Sequence, residues 1–418
     1  MQSDSAASGL AGPAMSRAAR AATAIPSLAF TLVVAGQNVP NALLPEYDRR
    51  LGLGAVGLAI VFSIYLAALV VTLIVMSRPV LQRRPVLNLV IAAFVAICGD
   101  GALLVGSLPA LLAGRALMGV AVGLGTGSAA AAAVTLIGER GRTVTATGNV
   151  VGAVVGTLLG AVAAELSGGL TLGYVIHAAA TAVMLILLAT AGVRALARAR
   201  DAGPAAGAPQ ASLEPHPPGS SLRLALGFLA GLSAWGTASL VIAFVPSAIT
   251  HNLGSASLLL ASVGTLVLLV AASIGQFALM FTRSRWTVWA AIALTAVGLP
   301  MLTIGILAGA LPLVLIGCAA LGGAQGGGYR IGLRLVSVGL DPASQGARAS
   351  AYACVSYGGS VVIVVVASFI GGGGGEVAAL VTSAGILAML ISATAVTALI
   401  GTRAVLPGDR RRSERMDA

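Results

Sequence analysis

Apolar runs of about 20 residues, each long enough to cross ~30 Å of hydrocarbon, follow one another along this chain with little between them. They are read at 23–44, 55–76, 86–106, 109–136, 145–166, 170–192, 224–248, 255–281, 287–308, 310–329, 350–371 and 377–400. In lipid such a segment folds as a helix, because no water is present to take up free backbone groups. The fold class follows: an all-α polytopic membrane protein with twelve transmembrane helices. Composition agrees. Charged residues make up 9% of the 418, against about a quarter in soluble proteins, which is too few to cover a water-facing surface. A soluble enzyme, a nucleic-acid binder and a disordered scaffold are all excluded. The Ala/Ser-rich stretch 1–21 is followed by a run too long for a signal-peptide core, so that run is expected to be the first membrane helix.

All 24 basic residues are arginines, and they give the chain its net charge of +11. Arg49 and Arg50 lie in one loop beside Glu46 and Asp48, and Arg115 falls inside a span. Every other arginine sits in a tail or in a loop on the same side as the tails. The positive-inside rule then places both termini in the cytoplasm of a multi-pass protein of the cell membrane. The basic charge is therefore a topology signal with some contact to membrane lipids, and no nucleic-acid partner is implied. Cys98, Cys318 and Cys354 lie in apolar stretches with no metal-ligand or disulfide spacing and read as buried free thiols.

The longest polar segment, 193–223, is rich in Ala, Pro, Gly and Ser and reads as a flexible cytoplasmic linker. It divides the spans six and six. The expected organisation is a tail (1–21), a six-helix bundle (22–192), the linker, a second six-helix bundle (224–401) and a basic tail (402–418). The halves echo each other. Gly141-Arg142 opens the fifth span and Gly346-Ala347-Arg348 the eleventh, while the fourth and tenth are both glycine-rich, with Gly119, Gly123, Gly125 and Gly127 against Gly322, Gly323, Gly326, Gly327 and Gly328. Two pseudo-symmetric six-helix halves suggest a rocking transporter with its site between them.

Several motifs carry a resemblance. The first helix ends NALLPEYDRRLGLG (41–54), the fourth span reads LLAGRALMG (111–119) with Leu111, Arg115 and Gly119 in an L-x-x-x-R-x-x-Q-G pattern, and the fifth carries Gly152, Gly156 and Gly160. On these the chain resembles the major facilitator superfamily, and within it the twelve-helix drug and metabolite proton antiporters. The departures are specific. Met118 replaces the glutamine, and Thr157 stands where the fifth-span motif has proline. VMSRPVLQRRP (75–85) keeps only Arg83 and Arg84 of the usual segment between spans two and three. Gly36 stands where proton-driven exporters often carry an acid. The resemblance implies alternating access, a coupling role for Arg115, and a central cavity lined by spans one, four, seven and ten.

Ionisable groups inside hydrocarbon are functional candidates by default. Asp100 in span three and Arg115 in span four lie at matched depth, roughly 11 Å from their shared hairpin tip, which allows a direct pair. They form either a permanent structural pair or a pair that switches as Asp100 takes a proton. His177 in span six is a possible proton relay or a hydrogen-bonded core histidine. Gln37, Asn38 and Asn41 in span one need partners, and Gln37 and Asn41 share a helix face. With the cavity placed by resemblance, these amides, Trp235, Gln325 and Tyr329 become candidate substrate contacts, with helix–helix bonding as the alternative. Glu165 and the Trp286/Trp289 pair read as interfacial. Gly119 and Gly123, and Gly152, Gly156 and Gly160, form bare stripes that suit close packing or sliding at the moving interface.

No Walker A, HExxH or G-x-S-x-G sequence is present, so the chain is not read as an enzyme, and no cofactor or metal is expected. The expectation is a monomeric secondary transporter whose partners are protons and a small-molecule substrate, exporting a lipophilic or amphipathic compound. Uptake or facilitated diffusion of a neutral metabolite is the alternative within transport. A non-transporting sensor or assembly protein on the same fold is the alternative outside it.

Overall fold

The structure, a computed structural model, describes residues 17–78, 80–137, 140–192, 221–252, 254, 256–278, 282, 284–337, 342–371 and 375–401. Twelve long helices fill it: α1 (Arg17–Leu51), α2 (Gly54–Met76), α3 (Pro85–Leu103), α4 (Leu108–Ile137), α5 (Arg140–Ser167), α6 (Thr171–Leu187), α7 (Ser221–Asn252), α8 (Leu258–Ala278), α9 (Ser284–Leu307), α10 (Leu311–Ser337), α11 (Pro342–Ile370) and α12 (Gly375–Gly401). Each, α6 together with the π-helical turn Leu188–Gly192 that continues it, contains a stretch long and apolar enough to cross a membrane. The protein is an all-α, multi-pass membrane protein. Most of the expected linker lies outside the described residues, and its last three positions form the first turn of α7. Arg194, Arg198, Arg200, Arg283 and the arginines beyond 402 also lie outside, as do the side chains of Arg17, Arg20, Arg140 and Arg142.

The two halves repeat one packing plan. In the first, α4 packs on α2 and α3, and α1 on α5. In the second, α10 packs on α8 and α9, and α7 on α11. The halves meet along two seams, α2 with α11 and α5 with α8, and α1 also touches α7. Exchanging each helix for its counterpart six places away in the other half turns one seam into the other. Helices α1 and α7 are the most enclosed, whereas α6 and α12 turn most of their surface outward. Val71, Ile74, Val183, Ile186, Phe369 and Leu399 are among the large side chains exposed on that outer skin. A soluble monomer rarely tolerates so much exposed apolar surface, but a lipid-facing one requires it.

Glycine makes the close helix crossings. A Cβ on Gly119 or Gly123 would run into Tyr65, Ala68, Leu69 and Thr72 of α2, and on Gly322 or Gly326 into Leu268, Ala271 and Ala272 of α8. Gly152, Gly156 and Gly160 lie against the backbone of α1 at Thr31, Ala35 and Val39. Small residues allow such backbone approach, and dispersion between packed atoms replaces the hydrophobic drive that lipid does not supply. All five stripe glycines pack on α1 or α2 within the first half, which is the close-packing side of the expectation.

The end of the bundle opposite the termini, here termed distal, is closed by tight loops. The α3–α4 and α9–α10 hairpins turn on Gly106 and Gly309, with φ of 74° and 63°. At these left-handed positions any side chain would be strained.

Gly156→Ala is expected to destabilise the first half by about 1–3 kcal/mol through overpacking, because the neighbouring atoms belong to the α1 backbone and cannot rotate away. Gly385→Ala, where a Cβ meets open space, should change nothing. Thermal unfolding of the two variants in detergent tests the contrast.

Candidate functional site

Among the described residues the buried acidic, basic and amide side chains all lie in the first half, most of them where α1, α3, α4 and α6 meet. Asp100 of α3 and His177 of α6 are 0% and 1% exposed. His177 Nδ1 lies 2.6 Å from Asp100 Oδ2. Its Nε2 lies 2.8 Å from the Leu32 carbonyl of α1 and 3.1 Å from the Thr181 hydroxyl one turn along α6. Gly36 makes this possible, since any Cβ there would overlap the imidazole. The side chain missing from α1 is replaced by a ring from α6.

Arg115 is fully buried and does not pair with Asp100. Its Nε donates to the Val61 carbonyl at 3.1 Å and its Nη1 to the Gln37 carbonyl at 2.9 Å. The guanidinium lies 5.0 Å from the centre of the Tyr65 ring, a cation–π placement. Tyr47 and Tyr174 are joined hydroxyl to hydroxyl at 3.0 Å. Nη2 has no hydrogen-bond partner among the described residues. Gly99 of α3 packs on Gly114 of α4, so Asp100 and Arg115 lie at similar depth, but the rotation of the helices turns the two charges to different neighbours. Asp100 finds a histidine, and Arg115 finds carbonyl dipoles and an aromatic face.

The α1 amides partly satisfy one another. Asn41 donates to Asn38 Oδ1 at 3.0 Å, and Asn38 donates to the Val34 carbonyl at 2.9 Å. Gln37 Oε1 and Asn41 Oδ1 are buried without partners. In the second half, Trp235 of α7 meets Tyr357 of α11 edge-on at 4.4 Å between ring centres and Tyr329 of α10 at 6.1 Å. Tyr352 extends the cluster, 5.1 Å from Tyr329, and donates to the Tyr329 carbonyl at 2.7 Å. Trp235 Nε1 has no partner. The structure thus brings together Trp235 and Tyr329 as one group and Asp100 and His177 as another. Gln325 is half-buried on α10 one turn from Tyr329.

Sequence reasoning did not single out Tyr65, Tyr352, Tyr357 or Thr181, because a tyrosine or threonine in an apolar run carries no signal of its own. It also missed the distal contacts. Glu165 of α5 accepts from the Ser257 hydroxyl and from the Leu259 amide of α8 at 3.1 Å, joining the halves. Nearby, donor atoms of Asp48, His251 and Glu376 lie within 4.8 Å of one another, although the sequence shows no metal-ligand spacing. A groove of about 200 Å³ at this end is lined by Glu46, Arg49, Arg50, Glu165, Leu170 and Leu258, below the usual size of a ligand pocket.

With Cys98, Cys318 and Cys354 replaced by serine, the pair Glu165→Cys and Ser257→Cys is expected to cross-link under mild oxidation. The cross-link should hold the distal end closed, and a band shift on non-reducing gels reports it.

No family model matches this chain, and no curated protein does. Solved structures do. A crystal structure of the nucleoside transporter NupG superposes with a TM-score of 0.65 at 13% identity, covering 89% of this chain and 98% of that one. A bacterial homologue of the human lysosomal transporter Spinster, in an inward-facing and unoccupied conformation, gives 0.64 at 14% identity over 93% and 96%. Both are major facilitator transporters. Twelve helices in two halves, seamed at α2–α11 and α5–α8, therefore give this chain the fold of the major facilitator superfamily.

Proposed function

We propose that the chain is a secondary active transporter that works by alternating access and couples to protons. The observation that carries this reading is the buried Asp100–His177 pair. Apolar residues of similar volume would pack there at least as stably, and ionisable groups retained inside a membrane mark proton or ion paths. A histidine titrates near neutrality in its ordinary state, which suits a site that must load and unload at cellular pH. Arg115 supplies a fixed buried charge in the same half.

The substrate is a small lipophilic or amphipathic compound, moved outward in exchange for protons. Trp235, Tyr329, Tyr357 and Tyr65 supply aromatic faces, and the unpartnered Gln37, Asn41 and Trp235 atoms supply a few polar contacts, the usual make-up of a small-molecule site. Arg115 is already engaged with two carbonyls, so a strongly anionic substrate is disfavoured. Those same unpartnered amide oxygens favour a second reading, uptake of a neutral metabolite with hydrogen-bond donors. The arginine distribution puts the distal end outside the cell and the termini in the cytoplasm, and the protein works as a monomer.

In inside-out vesicles with a pH-sensitive dye, lipophilic cations, neutral antibiotics and nucleosides are added in turn. Dissipation of the gradient by one compound is expected, with loss in Asp100→Asn, while passive exchange of that compound survives. Gradient dissipation that persists in Asp100→Asn would remove the pair from coupling. A neutral compound accumulated by intact cells, with no compound moving protons in vesicles, would replace export by uptake.

A further inference from the structure

We propose that Thr181 is a positioning residue that lets the buried Asp100–His177 pair release its proton, by serving as hydrogen-bond acceptor for His177 Nε2 in one state and donor in the other. The inference rests on the proton-coupling reading and adds to it which atom carries the proton and what replaces it.

The argument is one of hydrogen accounting. His177 Nε2 lies 2.8 Å from the Leu32 carbonyl, and a carbonyl can only accept. In this arrangement Nε2 therefore carries a hydrogen. At the other side of the ring, Nδ1 and Asp100 Oδ2 are 2.6 Å apart, which requires one hydrogen between them. The pair is then either imidazolium with carboxylate or imidazole with carboxylic acid. Both have a net charge of zero.

Removal of one proton leaves a neutral imidazole and a carboxylate. The remaining ring hydrogen must sit on Nδ1, because otherwise a nitrogen lone pair would face a carboxylate oxygen. Nε2 is then a bare acceptor pointing at a carbonyl. A fully buried acceptor without a donor is costly, and this would hold the pair in its protonated form. The Thr181 hydroxyl, 3.1 Å from Nε2, removes that obstacle. A hydroxyl both donates and accepts and rotates to suit, so it takes the Nε2 hydrogen in the loaded state and gives its own in the unloaded one. Leu32 loses little, since its carbonyl stays within the α1 helix and takes the Gly36 amide in the ordinary i to i+4 pattern.

The groups around the ring fit this exchange. Asp100 faces it from α3, and the Leu32 carbonyl and the bare backbone of Gly36 face it from α1. Tyr174 lies one turn away on α6, with Tyr47 of α1 and Arg115 of α4 beyond it. The acid of α5, Glu165, is engaged at the distal end with Ser257. The buried set of Asp100, His177 and Arg115 carries +1 when loaded and zero when unloaded. The departing proton passes from Nε2 to water, and a proton from water on the other side reloads it.

The chain contains three histidines, so nitrogen-15 labelling of histidine in the full-length protein in nanodiscs resolves His177, assigned by the loss of its signals in His177→Gln. The protonation of each ring nitrogen is followed from about pH 5 to 10, a range that spans the ordinary and strongly shifted histidine. The expected result is a change from Nε2-protonated to Nδ1-protonated, Nε2-bare imidazole. This alkaline form is lost in Thr181→Val and restored in Thr181→Ser. A wild-type ring that keeps hydrogen on Nε2 throughout overturns the proposal without recourse to any variant. An alkaline form unchanged in a folded Thr181→Val protein overturns it as well. If the ring switches as described but no compound moves protons in vesicles, the switch stands and the coupling reading is what fails.

Discussion

A charge taken into hydrocarbon must be solvated by the protein itself, and the first half of this molecule is built around that demand. Arg115 receives two backbone carbonyls and a tyrosine face. Asp100 receives a histidine, which in turn takes a carbonyl and a hydroxyl. The partners come from several helices, so α1, α2, α3, α4 and α6 are tied together at this depth. Breaking such a set costs far more than it would in water, because nothing else is present to replace a lost partner. The arrangement therefore fixes helix rotation, which lipid-facing apolar residues leave free.

Where no polar group fixes the geometry, glycine does. Gly119 and Gly123 seat α4 on α2, and Gly322 and Gly326 seat α10 on α8 in the equivalent place. Contact through backbone atoms leaves no flexible side chain to yield, so each half resists internal distortion. A transporter that rocks needs such stiffness, since motion that could be absorbed inside a half would not reach the boundary between halves.

The spans were legible because about 20 apolar residues have one stable form in lipid. Their ends were less so. The first helix runs to Leu51, well past the apolar run, because Glu46 pairs with Arg49 and Arg50 along its surface and the polar turn remains helical. Asp100, Arg115 and His177 each stood out as ionisable residues in apolar surroundings. Their pairing did not, because sequence gives depth along a helix and withholds its rotation about the axis. The glycine stripes were visible for the same reason that their use was not. Spacing marks a smooth face, and only packing says against which neighbour it lies. Asp48, His251 and Glu376 come from three helices far apart in the chain and are gathered only by the fold.

The two seams between the halves are related by the internal repeat, yet they do not carry the same chemistry. At the distal end of α5, Glu165 grips Ser257 and the start of α8. At the matching end of α11 stand Phe369 and Ile370, both largely exposed. The α5–α8 seam is thus clasped by one carboxylate that reaches across directly, whereas elsewhere at this end Asp48 of the first half gathers with His251 and Glu376 of the second. Unlike fastenings at different points around the end of a symmetric bundle would make a rocking motion lopsided, because the flank whose contacts yield first leads and the other serves as its hinge.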